Sequence, residues 1–89
     1  MNEVVFLIKP KGEYAKFCEK VKRKYFEYLS KGVTKFRFLV VSDDPLHRWI
    51  ESVRCVLEIN IAATIIVNQV RSEELGEVVQ GLKNVEEIS

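Results

Sequence analysis

Apolar residues along this chain follow two alternating rhythms: short unbroken runs, and longer stretches in which they return every three or four positions. Val4-Val5-Phe6-Leu7-Ile8 is an unbroken run of β-forming residues stopped by Lys9-Pro10-Lys11-Gly12. Continuous apolarity predicts a strand buried on both faces, as in a parallel sheet, near residues 3–9. Tyr14, Phe17, Cys18, Val21, Tyr25, Tyr28 and Leu29 then recur on one face of a helix predicted over 13–30, with Gly32 placed to end it.

The alternation repeats twice more. Lys35-Phe36-Arg37-Phe38 followed by Leu39-Val40-Val41 predicts a strand over 35–41 that enters the core from the rim. Asp44 before Pro45 is a helix-start signal, because a carboxylate receives free N–H groups and proline lacks the donor. A helix is therefore expected over 45–58, with Leu46, Trp49, Ile50, Val53, Val56 and Leu57 inward. A third strand is expected over 63–68, closing at Asn68-Gln69. Ser72 is then expected to cap a helix over 73–82, with Leu75, Val78, Val79 and Leu82 inward and Gly76 and Gly81 weakening it. The tail from Asn84 to Ser89 has no distinct pattern. Strands alternating with helices imply right-handed crossovers. The expected fold is a single α/β domain over 1–89, a small three-layer, Rossmann-like βαβαβα unit with a three-stranded parallel sheet.

Composition narrows the class. With 47% hydrophobic and 30% charged residues the chain is an ordinary globular sequence rather than a disordered one. No apolar stretch approaches a membrane span, and the start lacks the basic flank of a signal peptide, so a cytoplasmic protein is expected. Cys18 and Cys55 are too few and too far apart for a zinc spacing; reduced thiols in or near the core are expected, with a disulfide between them left open. Charge is uneven: residues 1–37 carry ten Lys/Arg and four Glu, while residues 38–89 carry four Lys/Arg and nine Asp/Glu. A basic first half could meet nucleic acid or another phosphate-bearing partner, a reading ranked below the solvated face of one helix. Opposite charges could equally drive self-association, and a homodimer is expected.

Parallel sheets take ligands beyond the carboxyl ends of their strands. Three polar clusters fall there: Lys9 to Gly12, Ser42 to Asp44, and Asn68 to Ser72. Asp43 and Asp44 could hold Mg²⁺ or act as an acid–base pair, although helix capping accounts for Asp44 without a ligand. Lys9 or Lys11 beside Gly12 could receive a phosphate, but Lys-Pro-Lys-Gly is not a phosphate loop. His47 is the only histidine, and no nucleophile flanks it. No metal site and no catalytic constellation are expected.

From Val33 onward the order is Phe38-Leu39-Val40-Val41, Asp43-Asp44-Pro45-Leu46, Glu51-Ser52-Val53-Arg54 and Ile65-Ile66-Val67-Asn68-Gln69-Val70. Residues 33–71 resemble the late part of the nucleotide-binding domain of ArsA-type ATPases, the anion-pump and tail-anchored-protein targeting family. The resemblance implies that Asn68, with Gln69 beside it, would contact an adenine ring, making ATP or another adenine nucleotide the cofactor to consider. The family's phosphate loop and switch aspartate are absent, so ATP hydrolysis by this chain alone is not expected. The expected function is a non-catalytic ArsA-like module acting in protein interaction or self-association, with weak adenine recognition. The alternatives are an accessory subunit completed by another chain's phosphate loop, and a nucleic-acid-binding module.

Overall fold

The structure is a computed structural model that describes residues 2–59 and 64–89, with the side chains of 64–66 outside the description. Its elements are β1 (Glu3–Ile8), α1 (Tyr14–Ser30), β2 (Lys35–Val41), α2 (Trp49–Glu58), β3 (Thr64–Val70), a 3₁₀ turn (Ser72–Glu74) running into α3 (Leu75–Gln80), and β4 (Val85–Ile88). The sheet order is β3-β2-β1-β4 and every pairing is parallel. The α/β class and the parallel pairing of β1 with β2 agree with the sequence. The count of three strands does not, because the patternless tail supplies β4.

That strand was hard to see for a physical reason. Only Val85 and Ile88 are apolar, and β4 lies on the outer edge against β1. Its two glutamates are held by ion pairs to the first half of the chain, Glu86 to Lys24 at 3.1 Å and Glu87 to Lys9 at 3.2 Å. Lys22 reaches Glu58 in the same way at 3.4 Å. The opposite charges of the two halves thus meet within one chain, which removes the electrostatic argument for self-association.

The two faces of the sheet carry separate apolar layers. Val4, Phe6 and Ile8 of β1 join Phe36 and Phe38 of β2 beneath α1 and α2, whose contributions include Phe17, Val21, Tyr25, Cys55 and Val56, with Ile59 just past α2. Val5, Leu7, Leu39 and Val70 face the other way and are covered by Leu75, Val78, Val79 and Leu82. The strict alternation along β1 divides these two sets, as the pleat requires. The α1 stripe reads as expected, and Gly32, just past the helix, takes the left-handed φ of 89° that closes it.

The second helix departs from expectation in its start and in its facing. Pro45 and Leu46 form a turn, and His47 has a left-handed φ of 54°, so α2 begins at Trp49 rather than at Pro45. Asp44 still caps it, one turn later: its carboxylate accepts the N–H of Arg48 at 2.7 Å and of Trp49 at 3.2 Å. The residues it buries are Ser52, Cys55 and Val56, with Ile59 just beyond. Trp49 and Val53 are only half buried, while Leu46, Ile50 and Leu57 are 77%, 54% and 74% exposed. The small residues Ser52 and Cys55 turn toward the sheet and α1 together with Val56, and Leu46, Ile50 and Leu57 are left outside.

The expectation of reduced thiols is also corrected. Cys18 and Cys55 form a disulfide joining α1 to α2, with Cα atoms 5.6 Å apart, inside the range a bridge requires. Both lie on the buried faces of their helices, where the two crossovers run side by side. No helix among the described residues is long and apolar enough to cross a membrane.

Candidate functional site

Loops at the carboxyl ends of β1, β2 and β3 enclose a cleft of about 530 Å³ lined by Lys9, Pro10, Val41, Asp44, Pro45, Leu46, Arg48, Ser72 and Leu75. All three polar clusters expected at this end of the sheet contribute to it. Its volume falls in the range of small-molecule sites. Its charged groups, however, are already engaged in contacts within the chain. Arg48 donates from Nε to Glu51 at 2.6 Å and from its guanidinium to the Gly12 carbonyl at 2.7 Å, tying α2 to the β1–α1 loop. Lys9 is paired with Glu87, and Asp44 serves the start of α2. Lys11 is exposed and does not line the cleft.

Asp43 is bound to the other side of the loop cluster. It accepts the Ser72 hydroxyl at 2.9 Å and the Ser72 N–H at 3.0 Å, so β2's exit holds the turn that leads into α3. Ser72 is therefore not the cap itself but the donor to one. The Ser72 hydroxyl, and then its N–H, hold the Asp43 carboxyl below the usual carboxylate range. A depressed folded pKa contributes stability above the ordinary value, and that contribution disappears as pH falls through the folded pKa. Asp43→Asn is expected to flatten the acid limb of a melting-temperature profile below about pH 4 while leaving the neutral fold intact. An acid limb identical to wild type would show that the contact contributes nothing.

Asn68 and Gln69 sit elsewhere. Strand β3 runs on to Val70, so they lie within it rather than at its end, opposite Leu39 and Val40 of β2. They line a shallow depression with Arg37, Glu74, Val78 and Leu82 beside α3, separate from the carboxyl-end cleft. The structure thus gathers Lys9 and Asp44 at one cleft with Asp43 alongside, and sets Asn68, Gln69 and Lys11 apart from it. Among the described residues no cluster of His, Cys, Asp and Glu could hold a metal ion.

A third surface was not anticipated. Around α2, with each residue turning by about 100°, Cys55, Glu58 and Arg54 face α1: Cys55 through the disulfide, Glu58 through Lys22, and Arg54 over the Tyr14 ring at 4.8 Å. Val56 is buried, and past it Trp49 and Val53 stand on the flank away from α1, followed by Leu57 and Ile50 on the outer face opposite Ser52. These four line a groove together with Arg54 and Glu58. That flank is the side of β3, the outermost strand, where Val67 is 39% exposed. The signal was present in the sequence as an apolar arc on α2 too wide for one buried face.

Comparisons with family models, with curated proteins and with solved structures return no match.

Proposed function

We propose that this chain is a non-catalytic α/β module that works by protein association, docking through the α2 flank and the neighbouring β3 edge. The observation that carries this reading is the apolar flank itself. Ile50 and Leu57 are more than half exposed on a chain whose other large apolar residues mostly pack into two cores. Isolated exposed apolar residues are ordinary, but a contiguous set with a polar rim marks an interaction surface. Arg54 and Glu58 supply that rim. The charged groups of the carboxyl-end cleft, by contrast, are committed to internal contacts, which favours a positional role for Lys9, Arg48, Asp43 and Asp44 over catalysis.

Retention on a phenyl-substituted matrix tests the surface without knowledge of the partner. Ile50→Glu combined with Leu57→Glu should elute markedly earlier than wild type. Its melting temperature should hardly change, because exposed substitutions usually alter stability by no more than about 0.5 kcal/mol. Unchanged retention would contradict the reading, and so would loss of the fold.

A further inference from the structure

We infer that the docking partner is a second copy of this chain, joined across a two-fold axis by antiparallel pairing of the two β3 strands. This rests on the docking reading above and adds to it the identity of the partner and the mode of contact.

The two edges of the sheet are unlike. Strand β4 has four residues, two of them Glu. Short, charged edges are the ordinary protection against pairing with another sheet. Strand β3 has seven residues, Thr64-Ile65-Ile66-Val67-Asn68-Gln69-Val70, with no charge and no proline. One side of its backbone is bonded to β2, and among the described residues the strand has no second neighbour in the sheet. A row of outward N–H and C=O groups on an uncharged strand fits another extended strand.

Symmetry selects a copy of the same strand. Across a two-fold axis each residue near the centre meets itself or a close neighbour, so any charge there would face its like. An uncharged β3 has no such penalty in any register, whereas β4 against its copy would bring Glu86 and Glu87 close to theirs. Pairing β3 with β4 of another copy would leave free edges at both ends and build an open filament; pairing β3 with β3 closes after two chains. The α2 flank lies on the β3 side, so the same axis carries Trp49 and Val53, with Leu57 beside them, toward their counterparts and buries them. Because no charged residue of β3 takes part, the association should be nearly independent of salt.

Sedimentation equilibrium from ~1 to ~100 µM, the range in which a micromolar affinity is visible, tests the proposal on wild type, Val67→Lys and the Ile50→Glu/Leu57→Glu variant. The expected result is a doubling of mass in wild type at both low and high ionic strength, and the mass of one chain in both variants with their melts preserved. A single-chain mass for wild type throughout overturns the inference and leaves the phenyl-matrix result to judge the docking reading. A dimer that survives Val67→Lys but is lost in the α2 variant overturns strand pairing while the α2 surface stands. A dimer indifferent to both variants overturns both. If Val67→Lys does not fold, amide exchange on wild type decides: protection in residues 64–70 that rises with protein concentration supports the pairing, and protection independent of concentration as the mass doubles overturns it.

Discussion

Reducing the Cys18–Cys55 bridge is expected to lower the free energy of unfolding by about 3–4 kcal/mol, the chain-entropy value for a loop of this size. The two cysteines are 37 residues apart, so the bridge closes a loop containing most of α1, all of β2 and the start of α2. In a domain this small, where total stability is about 5–15 kcal/mol, that is a large share. The melting temperature should fall by more than about 10 °C, since each kcal/mol shifts it by several degrees in domains of this size. Heat melts with and without reductant, alongside thiol counting on denatured, unreduced protein, check the point. Two free thiols per chain, or identical melts, would contradict it. The Cys18→Ala/Cys55→Ala variant should fall at least as far, because both sulfurs are buried and their removal also empties space between the helices.

Phe6→Ala is expected to cost about 3–5 kcal/mol, the usual range for an aromatic residue removed from a core. Phe6 is fully buried on β1. Its ring centroid lies 5.2 Å from that of Phe38, 5.8 Å from Tyr28 and 5.9 Å from Phe36, so one side chain links both inner strands to α1. These separations lie in the range of favourable ring contacts, which add to the area the ring removes from water. Neighbouring rings on two different elements restrict collapse into the vacated space. Urea unfolding should show a lower midpoint; a loss below about 1 kcal/mol, well short of a core truncation, would mean that the aromatic cluster is not the centre of the core.

The sequence made β1, α1 and β2 legible because their signals do not compete. An apolar run bounded by Pro and Gly has one reading, and the Tyr14-to-Leu29 stripe has one apolar arc. For α2 two arcs competed. The run from Leu46 to Leu57 has helical spacing and large side chains, and size suggested burial. The sheet instead receives Ser52, Cys55 and Val56, where small residues let α2 approach and the disulfide fixes its rotation. Periodicity identifies a helix but does not choose between two apolar arcs on it. Strand β4 escaped because its pairing is supported by salt links from Lys9 and Lys24, which lie far away in sequence.

The candidate site was legible in position and not in composition. Parallel topology alone placed the three polar clusters at one end of the sheet, and Lys9, Asp44 and Ser72 do share a cleft there. Asn68 and Gln69 belong at that end only if the strand closes at them; it continues to Val70, whose side chain is buried against α3's side of the core. A two-residue error at a strand end was enough to move the amide pair out of the cleft.

Trp49 gives the most direct test of the central claim, that the α2 flank and β3 edge are buried by association. It is the only tryptophan in the chain, half exposed, and it lines the α2 groove. Acrylamide quenching of its fluorescence should be efficient in dilute protein and fall steadily between ~1 and ~100 µM, over the same interval in which a micromolar dimer forms. The emission maximum should move to the blue as water leaves the ring. Quenching that stays constant while the sedimenting mass doubles would place the contact on another face, and quenching that stays constant with no change in mass would contradict the account outright.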